Sequence, residues 1–207
     1  MTTKKLQLGI LASGSGTNLQ SIIDACEAGN VDAQVCVVVS DKEDAKALDR
    51  ARNHNIPAFS FNRKSFESKK DFEAAMLKCL KDHGVELVCL AGYMRIVGKT
   101  LLEPYTDNMI NIHPALLPAF PGLDGQRQAW EYGAKVAGCT VHYVDDKMDN
   151  GPIIGQVAVE VKEDDTVDTL QKRILEQEHK LYPRCIQLIA QGKVKIEGRR
   201  VKISSSS

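Results

Sequence analysis

The stretch "LQLGILASGSGTNLQSIIDACEAG", residues 6–29, holds in one run the three pieces whose order sets the fold. Residues 6–12 are nearly all apolar and read as a buried strand, and "SGSG" at 13–16 breaks it. From residue 17 onward Leu19, Ile22, Ile23 and Cys26 share one helical face, and Gly29 closes the segment. A strand, a glycine turn and a helix start in that order aim backbone N–H groups at one point, beside the positive end of the helix dipole. Thr17 and Asn18 can cap the helix or donate to an anion. The main competitor is a dinucleotide. Gly14 and Gly16 supply two glycines of G-x-G-x-x-G, and Asp41, after the second strand, stands where a ribose-binding acid would. Leu19 occupies the third glycine's place and would push helix and strand apart, so the loop suits a single phosphate; a plain tight turn is the bland alternative.

The same alternation continues down the chain. Strands are expected at 33–40, 56–61, 85–92 and 108–113, with helices at 41–55 and 71–84 between them. Strands separated by helices of roughly 10 to 15 residues mean βαβ units, and near-continuous apolar strands fit a sheet covered on both faces. The predicted class is therefore α/β: a doubly wound, mainly parallel sheet with helices on both faces. Around "KMDNG" two apolar runs lie close together, which predicts an antiparallel strand pair near 137–161. Residues 166–192 read as a long helical stretch that Pro183 interrupts or bends. A small hairpin should follow, turning at Glu197 and Gly198, with 204–207 as a frayed tail. No repeat and no linker divides the chain, so one domain over 1–207 is expected.

Composition narrows the function classes. The chain has 207 residues, 43% hydrophobic and 26% charged, an ordinary globular balance. Basic and acidic residues number 27 each, which argues against a general nucleic-acid or membrane-surface binder. Six cysteines lie scattered, mostly in apolar runs and never as Cys-x-x-Cys, and read as small buried hydrophobes in a reducing, cytoplasmic compartment. The apolar part of the N-terminal segment is short and runs into the glycine loop, which fits a first strand better than a signal peptide.

Two further segments can carry chemistry. "NIHPALLPAFPG", residues 111–122, puts Asn111 and His113 on the same face at the end of a strand, since strand periodicity is two. Pro114 restricts His113 to extended geometry, and Pro118 and Pro121 stiffen the exit from the strand. An amide beside an imidazole suits stabilising an oxyanion and moving one proton; a hydrogen-bonded core histidine is the plain alternative. In "VDDKMDNGP", residues 144–152, Asp145 and Asp146 read as a solvated loop, whereas Asp149 gains meaning if it reaches His113 and orients it. His113, His142 and Asp149 lack any ligand spacing that favours a metal.

The segments "SGSGTNLQ", "LAGYMRI" (90–96), "NIHPALLPAFPG", "VHYVDDKMDNGPII" (141–154) and "QEHKLYP" (177–183) together resemble the phosphoribosylglycinamide formyltransferase family, across roughly residues 6–200. The resemblance implies transfer of a formyl group from 10-formyltetrahydrofolate, as co-substrate and without a metal, to the amine of 5′-phosphoribosylglycinamide in purine (IMP) synthesis. A formyltetrahydrofolate hydrolase using the same groups is the alternative. Methionyl-tRNA formyltransferases carry an extra C-terminal domain and the hydrolases an extra N-terminal one, so the free-standing enzyme is expected. The resemblance further implies Asn111, His113 and Asp149 as catalytic groups, Gly16, Thr17 and Asn18 as holders of the 5′-phosphate, and Glu178 as a ribose contact. Met94, Arg95, Ile96, Val97, Asn111, Asp146 and Asp149 would meet the folate. Lys69 stands where bacterial members often have arginine, and keeps the charge without the planar fork. Small-molecule substrates, no nucleic acid, no membrane and a monomer or homodimer complete the expectation.

Overall fold

The computed structural model describes residues 4–204, so the N-terminal residues 1–3 and most of the expected tail, 205–207, lie outside the described residues. The chain divides into two compact units, Met1–Ile110 and Asn111–Ser207.

In the first unit, strands β1 (Leu6–Leu11), β2 (Ala33–Ser40), β3 (Ala58–Ser60) and β4 (Leu87–Leu90) lie in the order β3-β2-β1-β4. Each neighbouring pair is parallel. Helices α1 (Thr17–Glu27), α2 (Lys46–Asn53), α3 (Lys69–Asp82) and the single turn α4 (Lys99–Leu102) connect or follow them. The order explains why the strands read as unbroken apolar runs. Crossovers in parallel sheets are right-handed. The chain steps outward through α1 and α2, then returns through α3 to the other side of β1, so helices fall on both faces. Leu8, Ile10 and Leu11 are consequently buried on either side of the strand, each stabilising the fold by about 1.5–3 kcal/mol. The reversal between β1 and β4 is a topological switch point, where open α/β sheets form their binding crevices.

Strand β5 (Met109–His113) begins beside β4, where the Val88 N–H donates to the Asn108 carbonyl at 2.9 Å, and carries the chain into the second unit. There α5 (Gly125–Tyr132) precedes the strands β6 (Val136–Tyr143) and β7 (Ile153–Glu160), which pair antiparallel from Val136↔Glu160 to His142↔Ile153. Helix α6 (Val167–Ala190) packs on both, and β8 (Val194–Glu197) and β9 (Arg200–Ile203) form the closing hairpin.

The class is α/β with a mostly parallel sheet and an antiparallel pair, as the periodicity predicts. Several boundaries differ. The second helix starts at Lys46 rather than 41: Asp41 is drawn to Ser13 and Arg95, residues 42–45 form a turn, and Ala45 is extended. Pro183 does not interrupt α6. The helix runs through it for 24 residues, and Leu181, Tyr182, Pro183, Cys185 and Ile186 are all buried, so packing offsets the missing N–H at that turn. The hairpin turns at Gly198 and Arg199, one residue later than expected, with Gly198 at φ 59°. Ser204 is tied down, its N–H donating to the Lys193 carbonyl at 2.9 Å. Helix α5 adds an element to which the sequence pattern assigns nothing: it starts from Asp124, in the left-handed region.

Helix α6 is anchored at its N-terminus. Thr166 and Thr169 form a reciprocal capping box. Asp165, just ahead of it, takes two bonds from the Arg173 guanidinium at 2.6 and 2.8 Å, one from Thr169 Oγ1 and one from the Lys162 N–H. The Arg173 guanidinium beside it, helped by those donors, holds the Asp165 carboxyl well below the usual carboxylate range. A depressed native value adds stability above the unfolded value of about 4 that is lost as pH falls through the native one. Asp165→Asn should therefore lower stability at neutral pH and flatten its fall below about pH 4 relative to wild type. Denaturant midpoints of both proteins at pH 7, 4 and 3 check this; parallel curves would show that the pair contributes no linkage.

Candidate active site

Within the first unit the glycine turn is seated on α2. Gly16 caps α1 at φ 70°, in the left-handed region, and a Cβ on it would stand 2.7 Å from the Ala47 Cα. Only glycine meets both conditions without strain. The Ala47 N–H donates to the Gly14 carbonyl at 3.1 Å, and Arg50 Nε donates to the Ser15 carbonyl at 2.8 Å. The N-cap residue Gly16 has no side chain to cap α1, and no acid lies in the helix's first turn, an arrangement that favours an anion. Leu19, fully buried, fills the place that a dinucleotide fingerprint gives to glycine. Gly16→Ala should lose on the order of 1–3 kcal/mol of stability through the forbidden φ and the contact with α2. Thermal unfolding measures it, and a wild-type melting temperature would contradict the tight seating of the turn.

Asp41 does not wait for a ribose. Its side chain is almost fully buried, accepts from Ser13 Oγ at 2.6 Å, and pairs with Arg95 Nε at 2.6 Å. Ser13 Oγ in turn accepts from the Met94 N–H at 3.0 Å. Buried Glu73 accepts from the Gly98 N–H at 2.7 Å, with Lys69 Nζ 3.6 Å away. Two buried acids thus tether the segment after β4 at Arg95 and Gly98. The Arg95 guanidinium, expected in a ligand pocket, is committed to Asp41 and stacks over Phe72. Met94 and Ile96 remain 61% and 65% exposed on a fixed backbone, apolar surface of the kind that takes a flat ligand.

In the second unit Asn111, His113 and Asp149 come together. His113 is buried; its Nε2 donates to the Phe120 carbonyl at 2.8 Å, and its Nδ1 lies 3.5 Å from Asp149 Oδ2. The Phe120 carbonyl fixes the ring through Nε2–H and leaves Nδ1 facing the carboxylate. Asp149 itself sits at φ 49°, a conformation Asp tolerates, and accepts from the Gly122 N–H at 2.7 Å. Thr140 holds the segment between His113 and Gly122, accepting from the Leu117 N–H and donating to the Ala115 carbonyl. The loop bearing Asp149 is stapled too: Asp145, expected merely to be solvated, accepts from Asn150 Nδ2 at 2.6 Å and from the Lys147 N–H at 3.0 Å. Asp146 is exposed on that loop. A Cβ at Gly151 would lie 1.8 Å from the Tyr143 carbonyl oxygen, so only glycine lets the loop return to β7.

His142 is a member of this cluster that strand periodicity does not single out. Its Nδ1–H donates to the Tyr143 carbonyl at 2.8 Å, and burial pushes its pKa below the usual histidine range. The neutral ring therefore presents an Nε2 lone pair, which accepts from Asn111 Nδ2 at 3.2 Å. Asp149 Oδ1, at 3.7 Å from that nitrogen, is beyond hydrogen-bond range. One Asn111 N–H is spent and the second is left for a ligand. Glu178 is buried on α6. Among the described residues no group of three His, Cys, Asp or Glu is arranged to hold a metal, and no helix is long and apolar enough to cross a membrane. All six cysteines are unbridged, and burial pushes the Cys26, Cys139 and Cys185 thiols up to about 11, 12 and 12, far from a reactive thiolate.

Residues 6–186 match the profile of the Formyl transferase family. The chain is 50% identical over 181 residues to a phosphoribosylglycinamide formyltransferase of Bacillus subtilis, covering 87% of this chain and 93% of that protein. Its structure superposes on glycinamide ribonucleotide transformylase 1 of Symbiobacterium toebii with a TM-score of 0.96 at 51% identity, over 98% and 95% of the two chains. A formyltetrahydrofolate deformylase of Pseudomonas syringae is a more distant neighbour, with a TM-score of 0.90 at 25% identity, over 99% of this chain and 67% of that one.

Proposed function

This chain belongs to the formyl transferase family, and we propose that it transfers the formyl group of 10-formyltetrahydrofolate to the amine of 5′-phosphoribosylglycinamide, a step of purine synthesis. The amine is already a nucleophile and needs no covalent enzyme intermediate. Its lone pair attacks the formyl carbon, giving a tetrahedral adduct with a negative oxygen and a positive nitrogen. The nitrogen's proton then passes to N10 of the folate as the bond from N10 to the formyl carbon breaks and the carbonyl reforms.

Asn111, with its unspent N–H, donates to the developing oxyanion, joined by protonated His113 through its Nδ1–H, which at 3.5 Å from Asp149 is not held in a hydrogen bond. Asp149 favours the charged form of His113 and helps relay the amine proton, through water, toward N10. Gly16, Thr17 and Asn18 hold the 5′-phosphate and Glu178 the ribose. Met94, Arg95, Ile96, Val97 and Asp146 border the folate, Arg95 chiefly through its backbone because Asp41 engages the guanidinium. Lys69 meets the acidic folate tail as a point charge. One formyltransferase domain comprises both compact units, since the family match runs across their division. The enzyme works in the cytoplasm as a monomer or homodimer.

The observation that carries this reading is His113 held between the Phe120 carbonyl and the Asp149 carboxylate, beside an amide that His142 orients. Mixing the purified protein with glycinamide ribonucleotide and a 10-formyl folate should change the folate absorbance only when both are present. Formate release without the ribonucleotide would replace the transferase reading with the hydrolase one.

A further inference from the structure

The glycine turn is built so that its carbonyls, rather than its N–H groups, face α2. The Gly14 carbonyl takes the Ala47 N–H and the Ser15 carbonyl takes Arg50 Nε. In a trans peptide the carbonyl and the following N–H point opposite ways, so the Ser15 and Gly16 N–H groups turn away from α2. The first anchor is backbone and insensitive to sequence; the second depends on one side chain. Arg50 is half-buried and held in place, its Nη1 donating to Gln20 Oε1 at 3.2 Å. Gln20 is fixed in turn by Asp24, at 2.8 Å, and by His54, at 2.9 Å. His54 leans on Glu27 at 2.8 Å. The acids of this surface therefore engage Gln20 and His54, while among the described residues no carboxylate pairs with Arg50. A guanidinium bonded only to neutral oxygens, beside a turn that presents N–H groups, is a charge whose counterion is still to come.

We propose that Arg50 is a phosphate-site residue: it pins the Ser15 carbonyl so that the turn presents its N–H groups to the ligand, and its unneutralised charge attracts a phosphate dianion. The inference rests on the ribonucleotide reading above. Arg50 acts on substrate binding rather than on the reacting atoms.

The test compares the ribonucleotide with its dephosphorylated riboside, in the full-length protein with a 10-formyl folate. Wild type should have a much higher kcat/KM for the phosphorylated substrate. In Arg50→Met that preference should fall about tenfold, the scale of one charge-assisted bond at a partly exposed site. The loss should appear in the KM for the ribonucleotide, with kcat and the folate KM within about twofold of wild type. A purely structural role would move activity on both substrates together. Arg50→Lys, which restores the charge and a donor, should regain most of the preference. The proposal is overturned if Arg50→Met keeps the wild-type preference, if both substrates suffer equally, or if Arg50→Lys is no better than Arg50→Met. A wild-type enzyme that uses the riboside equally well would remove the phosphate reading itself, and this proposal with it.

Discussion

Asp149→Asn should lower kcat by on the order of 10²–10⁴ at neutral pH, with the KM for either substrate changed by no more than about threefold. The substitution is nearly isosteric. Asn tolerates the left-handed backbone at this position as Asp does, and its carbonyl oxygen can still accept from the Gly122 N–H, so the loop should keep its shape. What changes is the partner 3.5 Å from His113 Nδ1. A carboxylate favours the imidazolium. A carboxamide whose oxygen keeps the Gly122 N–H carries no charge there, so the neutral ring is no longer disfavoured, with Nδ1 as an acceptor while Nε2 still donates to the Phe120 carbonyl. The ring then has no proton on Nδ1 to lend to an oxyanion or a leaving nitrogen. Steady-state kinetics with both substrates checks the prediction. A variant that raised KM and left kcat intact would make Asp149 a binding group and remove its part in proton transfer.

For Asn111→Ala the expected loss is about 10²–10³ in kcat, the contribution of one preorganised oxyanion donor. Part of the effect falls on stability. His142 Nε2 loses the N–H it accepts, and an unsatisfied buried acceptor costs about 1–3 kcal/mol. A thermal melt run beside the kinetics separates the two. A variant melting a few degrees lower but still folded at assay temperature isolates the catalytic term. Full activity in such a protein would assign the developing charge to some other donor.

Local patterns carried much of this. The apolar runs of β1, β2 and β4, the helical spacing of Leu19, Ile22 and Ile23, and the alternation of Ile110 and Ile112 with Asn111 and His113 all reflect which neighbours a side chain meets within a few residues. The pairing of His113 with Asp149 was legible only through the resemblance of whole motifs to a known family, since 36 residues separate them and spacing alone sets no distance. Asp41 shows what local reasoning does not reach. Its place after a strand fits the dinucleotide alternative already set aside for Leu19, but nothing local reveals that Ser13 and Arg95, 28 and 54 residues away, claim both of its oxygens. The expected break at Pro183 does not occur for a related reason: the buried side chains around it outweigh one missing N–H.

Taken by itself, the sequence determined the α/β class, the order of elements and the two segments bearing Asn111, His113 and Asp149, because hydrophobic period and turn chemistry act over short range. The tertiary structure alone decided which atoms those groups address. It made His142 a neutral acceptor that aims Asn111, placed acceptors at both nitrogens of His113, and set Arg50 against the Ser15 carbonyl. Protonation and hydrogen-bond partners depend on burial and on atoms brought from distant parts of the chain, so they exist only once the backbone has folded.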